Sequence, residues 1–149
     1  MTEIVRLSQE HIYQIAQIEK LCFSEPWSES ALETLLGDNY VCFVALVDGM
    51  VAGYVGMYCI LDEGNIINVA VHPLYRRQGL ARTLLRELCA ISETLGLSEL
   101  YLEVRESNDS ARALYTSEGW ETFGKRKNYY SHPLEDAVLM KKDLVKGDY

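Results

Sequence analysis

Apolar residues along the chain switch between alternating and helical spacing, and the switches divide it into elements. "EIVRL" reads as a short first strand. Ser8 can cap a helix running to about Cys22, with Ile12, Ile15, Ala16 and Leu21 toward one side. "FSEPWS" interrupts it, and Ser28 caps a second short helix, "ESALETLLG", ending at Gly37. "NYVCFVALV" and "MVAGYVGMYCIL" are strands separated by Asp48-Gly49, a dipeptide that favours a two-residue hairpin turn. "DEG" turns the chain again and "NIINVAV" is a fourth strand. From Gly79, leucines at 80, 84 and 88, flanked by Leu85, Ile91 and Leu95, form a broad helical stripe that Gly96 stops. "SELYLEV" alternates, with Leu100, Leu102 and Val104 on one face and Tyr101, Glu103 and Arg105 on the other. "NDSARALYTSEG" is a helix capped at Asn108 or Asp109 and closed by Gly119. "WETFGKRKNYY" and "DAVLMKKDL" are the last strands. The order βααβββαβαββ predicts one mixed α/β domain over 1–149. Antiparallel hairpins come first and a strand-helix-strand crossover sits in the middle. Its tail, 144–149 at the widest, is expected to fray.

Charge and cysteine usage narrow the possible partners. A net charge of -8 over 149 residues argues against a general nucleic-acid binder and suits a basic or amine-bearing partner. Cys22, Cys42, Cys59 and Cys89 are far apart and read as reduced, buried thiols of a cytoplasmic protein. His11, His72 and His132 are also scattered, so no metal site is expected. No basic stretch followed by an apolar core opens the chain, and "YVCFVALV" is far too short to span a membrane. A soluble monomer is the expectation.

The chemistry concentrates after the fourth strand. A strand, a tight glycine turn and a helix together expose unpaired N–H groups and the positive end of the helix dipole. Gly79 allows close approach of backbone to a ligand, Ala81 keeps the first turn thin, and Arg76, Arg77 and Arg82 add positive charge suited to phosphate. No G-K-[ST] and no G-x-G-x-x-G follows, which disfavours nucleotide hydrolysis and dinucleotide chemistry. Residue types alone leave two readings open here: an anion site, or a solvated basic helix start.

Arg76-Arg77-Gln78-Gly79-Leu80-Ala81 resembles the [RQ]-x-x-G-x-[GA] pyrophosphate loop of the GNAT acetyltransferase superfamily. "NDSARALYTSEGW" is similar to that family's N-x-x-A-x-x-L-Y-x-x-x-G-[FY] signature, with Trp120 in the last position. "FSEPWS", "NVAVHPLYRRQGLA", "LEVRESN" and "NYY…DAVLM" resemble the branch of the family that acetylates the N-terminal alanine of a small-subunit ribosomal protein. The resemblance implies a sheet splayed between strands four and five and flanked by four helices, with acetyl-CoA as cosubstrate. It places the pantetheine arm on backbone of Val69, Ala70 and Val71. The diphosphate falls on Arg76, Arg77, Gln78, Gly79, Leu80, Ala81 and Arg82, with Asn108 beside the cofactor.

The same resemblance makes Glu103 the general base and Tyr115 the general acid. Read alone, Glu103 could be a surface carboxylate paired with Arg105, and Tyr115 could be packing on the face of Ala111 and Leu114. A carboxylate is a weak base for an ammonium; partial burial of Glu103 would raise its pKa and a bridging water could relay the proton, so that deprotonation is assisted and not forced. A phenol near pKa 10 donating to a thiolate near 8.5 faces a gap of roughly 2 kcal/mol. Glu25, Trp27, Tyr129 and Tyr130 are expected to form an acidic, aromatic mouth for the acceptor peptide, or else merely to anchor their loops. Transfer to a lysine or small-molecule amine, and a non-catalytic CoA-binding module, are the competing readings.

Overall fold

The computed structural model describes residues 1–144. Seven strands form one sheet in the order β1-β2-β3-β4-β5-β7-β6: β1 (Thr2–Arg6), β2 (Tyr40–Val47), β3 (Met50–Ile60), β4 (Glu63–Val71), β5 (Glu99–Arg105), β6 (Glu121–Ser131) and β7 (Leu134–Asp143). Four helices cover it: α1 (Ile12–Cys22), α2 (Glu29–Glu33), α3 (Leu80–Thr94) and α4 (Asp109–Ser117). Every strand pair is antiparallel except β4 with β5, the pair that flanks the crossover through α3.

Two apolar layers hold the helices to the sheet. On one face Ile12, Ile15, Ala16 and Ile18 of α1 and Leu32 of α2 pack on Val44, Tyr54 and Ala70. On the other, Leu80, Leu84, Leu85 and Leu88 of α3 pack on Val55, Met57, Leu100 and Leu102, joined by Tyr115 and Trp120. The alternation in β5 is as expected, with Leu100, Leu102 and Val104 buried. Asp48 and Gly49 both have positive φ, 50° and 84°, which is the two-residue turn their sequence predicts.

Several local expectations are corrected. Leu21 does not join the α1 stripe; it is 57% exposed, and the buried position is Glu19. The α1 helix is preceded by a 3-10 turn, Gln9–His11, in which Ser8 N–H donates to His11 Nδ1. "DEG" only begins in the turn, which is Leu61-Asp62; Glu63 already starts β4. The chain reverses at Leu61, with φ 54°, and β4 already includes Gly64. Gly64 is needed for packing: a Cβ there would lie 2.5 Å from Met57 Sδ. Tyr129 and Tyr130 lie within β6, not in a loop. Leu144 does not fray: it is buried and donates to Ser98 O at 2.9 Å. The rest of the expected tail lies outside the described residues.

Parallel pairing of β4 with β5 covers only Glu63↔Glu99, Gly64↔Leu100 and Asn65↔Tyr101. Beyond Asn65 the strands separate, although β4 runs on to Val71 and β5 to Arg105. A β-bulge coincides with the split. Met57 pairs with Ile66 and Gly56 with Asn68, leaving Ile67 as the extra residue. The sheet is thus opened in its centre, with backbone groups on both edges of the gap.

Candidate active site

Two cavities meet at the gap. One, about 700 Å³, runs from the gap to the front of α3. The other, about 510 Å³, opens between the α1–α2 loop, β5 and the β6–β7 hairpin. Cys22, Phe23, Val69, Asn108 and Tyr115 line both.

The first cavity gathers the predicted cofactor residues. Val69, Ala70 and Val71 line its strand side, and Arg76, Arg77, Gly79, Leu80, Ala81 and Arg82 its loop side. Gln78 does not line it. His72 N–H donates to Ala52 O on β3, so strand alternation turns Ala70 toward β3 and Val69 and Val71 toward the gap. Gly79 is the N-cap of α3, with φ 76°, and offers no side-chain acceptor. The first intrahelical bond is Thr83 N–H to Gly79 O, so the N–H groups of Leu80, Ala81 and Arg82 have no intrahelical acceptor.

The guanidinium groups contribute less than the sequence suggests. Arg82 is held by Glu118 at 2.8 Å, and Glu118 also takes Arg86 at 2.8 Å. Arg76 Nε donates to Val71 O at 3.1 Å and its Nη2 reaches Cys22 Sγ at 3.3 Å. Among the described residues only Arg77 of the three has no such engagement, and its own backbone is left-handed, with φ 66°.

The second cavity gathers the predicted acceptor residues Glu25, Trp27, Tyr129 and Tyr130 with Glu103. Glu103 is exposed to this space and not partly buried. It is not paired with Arg105, which binds Glu135 at 3.2 Å, donates to His132 O and Pro133 O, and lies 4.3 Å from the Tyr130 ring centre. Burial first, and then the Tyr129 and Glu103 charges, push the Tyr130 phenol up to about 12. Tyr129 is raised by burial and by Glu103. Glu25 Oε1 accepts from Ser131 Oγ at 3.1 Å, and Ser24 Oγ donates to His132 O, so loop and hairpin touch across the cavity.

Tyr115 stands where the cavities join. It is only 8% exposed, and burial alone pushes its phenol up to about 12. No described side chain holds its hydroxyl. Asn108 rather than Asp109 caps α4, its Oδ1 accepting from Ala111 N–H at 3.2 Å.

Glu19 was not legible as a site residue. It is fully buried and accepts three hydrogen bonds: Trp27 N–H at 2.9 Å, Tyr54 Oη at 2.6 Å and Asn68 Nδ2 at 2.8 Å. Desolvation raises its pKa against these bonds. Its spacing could have exposed it, because Glu19 is four residues after Ile15 and seven after Ile12, inside the apolar stripe.

The split parallel pair stands beside a helix front with free N–H groups, the arrangement the resemblance to the acetyltransferases implies, and the comparisons identify the family. Residues 12–120 match the Acetyltransferase (GNAT) family. The chain belongs to that family and is an acetyl-CoA-dependent acetyltransferase. It is 40% identical over 125 residues to the [Ribosomal protein bS18]-alanine N-acetyltransferase of Escherichia coli (strain K12), covering 83% of this chain and 84% of that protein. It is 37% identical over 142 residues to the enzyme of the same name from Salmonella typhimurium, covering 94% and 96%. The crystal structure of the ribosomal-protein-S18-alanine N-acetyltransferase from Escherichia coli superposes with a TM-score of 0.93 at 35% identity, over 99% of this chain and 97% of that one. Among the described residues no cluster of three or more His, Cys, Asp and Glu could hold a metal ion, and no helix is long and apolar enough to cross a membrane.

Proposed function

We propose that this chain, acting as a single cytoplasmic domain and as a monomer, transfers acetyl from acetyl-CoA to the α-amine of the N-terminal alanine of a small-subunit ribosomal protein. The observation that carries the reading is the junction itself: a helix-front cavity and an acceptor cavity share Val69, Asn108 and Tyr115, with Glu103 in the acceptor wall. The names of the Escherichia coli and Salmonella relatives support the acceptor.

The cavity at α3 fits the cosubstrate. The free N–H groups of Leu80, Ala81 and Arg82 suit its diphosphate, and the gap-facing backbone of Val69 and Val71 suits an extended arm, as in strand addition. When bound, acetyl-CoA supplies an activated acyl group. Glu25 and Glu103 give the acceptor cavity an acidic lining, which favours an amine-bearing, basic segment. An α-amine has a reference pKa near 7.7–8.0 and is roughly tenfold from neutral at pH 7. Glu103, being exposed, removes the proton through a bridging water and returns it to solvent.

Tyr115 donates a hydrogen bond to the leaving sulfur. Burial pushes the phenol up to about 12 and raises a thiolate leaving into the same junction as well, so full proton transfer stays uphill. Its role is therefore a late or incomplete proton donation.

The test is turnover of a peptide panel varying the first residue and downstream charge, with wild type, Glu103→Gln and Tyr115→Phe. We expect alanine-first peptides to be preferred, kcat/KM to fall about 100-fold in each variant, and CoA affinity to stay unchanged. Equal activity across first residues removes the alanine assignment. Preference for lysine side chains installs the competing acceptor, and CoA binding without turnover leaves a binding module.

A further inference from the structure

Asn68 stands on β4 immediately after the bulge at Ile67 and lines the acceptor cavity. The bulge resets strand alternation. Ile66 packs in the α3 layer, whereas Asn68 reaches the α1 side, where Glu19 is buried. An ionised carboxylate only accepts hydrogen bonds, so Glu19 takes the Asn68 NH2 and fixes which way the amide points. No described donor reaches Asn68 Oδ1, and that atom is not sealed in the interior. Trp27 N–H and Tyr54 Oη lock Glu19 itself, binding together the α1–α2 loop, β3 and β4.

We infer that Asn68 Oδ1 is the acceptor-binding atom that receives one N–H of the substrate α-amine, and that buried Glu19 is the positioning residue that keeps this oxygen turned to the cavity. The inference rests on the acceptor being an α-amine, as proposed above. Once one proton has gone toward Glu103, the amine keeps two N–H donors and a lone pair. An amide oxygen binds an N–H but does not take its proton. It therefore aims the lone pair toward the junction without competing with Glu103 as base. Glu19→Gln inverts the arrangement: its new NH2 faces the Asn68 amide, whose oxygen then turns inward and whose donor faces the amine.

The experiment measures binding of two short basic peptides to the CoA-loaded enzyme by calorimetry. One begins with alanine and the other with a propionyl group, which lacks only the amine. Wild type should prefer the alanyl peptide. In Asn68→Ala that preference should shrink roughly tenfold. Glu19→Gln should shrink it similarly, and the double variant should lose no more than either single one. Circular dichroism and CoA affinity report whether each variant is folded. Retention of the full preference by Asn68→Ala, or equal weakening of both peptides, overturns the inference. Failure of the acceptor reading is read separately, as absence of wild-type turnover on any alanyl peptide.

Discussion

At the scale of single residues, Trp120 has the least settled environment. It is 2% exposed, its ring centre lies 5.9 Å from that of Tyr115, and its Nε1–H has no acceptor among the described residues. Leaving a buried donor unpaired costs about 1–3 kcal/mol. Trp120→Phe removes the donor and leaves a void, two effects of similar size and opposite sign. Its stability by urea unfolding should stay within about 1 kcal/mol of wild type, while Trp120→Ala loses about 3–5 kcal/mol. A loss of that larger size for Trp120→Phe would mean that the indole N–H is bonded after all.

At the scale of elements, the decisive piece is the front of α3, and its sequence requirement is conformational. Gly79 adopts φ 76°, and a Cβ there would meet nothing within 4 Å. Gly79→Ala therefore meets no other part of the fold. It puts an alanine in a left-handed backbone, at about 1–2 kcal/mol, or lets the turn relax and rotates the free N–H groups away from the anion. CoA affinity by calorimetry should fall about tenfold, and Gly79→Asn, which tolerates this conformation, should restore most of it. If alanine and asparagine weaken binding alike, the backbone conformation is not what matters.

The same element shows why some of the molecule was legible and some was not. Element order and the helix stops at Gly96 and Gly119 followed from local spacing and turn chemistry, which the sequence carries directly. The GNAT loop, apart from Gln78, and Asn108, Ala111, Leu114 and Tyr115 of the signature come together on the walls of one cavity. What stayed hidden depended on distant partners. Arg82 looked free until Glu118, 36 residues away, came beside it. Glu19 stands at an apolar-stripe position, but its partners Tyr54 and Asn68 arrive from two distant strands. Glu103 read equally as a surface carboxylate or a base, and the bulge beside the gap it faces is announced by no local pattern.

For the whole molecule, those hidden carboxylates set how stability varies with pH, and they act in opposite directions. Glu118 ties α4 to α3 through Arg82 and Arg86, and its backbone carbonyl accepts from Lys142 of β7. The Arg86 hydrogen bond, with the charges of Arg86 and Arg82, holds its carboxyl below the usual range. A folded pKa below the unfolded one gives stability that is present above the ordinary carboxylate value. That stability is lost as pH falls through the lowered one. Glu19 is the reverse case, raised by desolvation. Keeping it ionised costs nothing below the unfolded pKa, and the cost grows as pH rises toward the raised value and is complete above it. Glu118→Gln should therefore destabilise the chain at pH 7 and lose that deficit as pH falls through the lowered pKa. The stability of Glu19→Gln relative to wild type should instead improve as pH rises through the raised pKa. Each variant removes one negative charge from a chain of net charge -8, so the general self-repulsion changes equally in both. The difference between their urea-unfolding curves across pH isolates the two local environments. Parallel curves across the whole acid-to-neutral range would show that neither carboxylate is held as its neighbours imply.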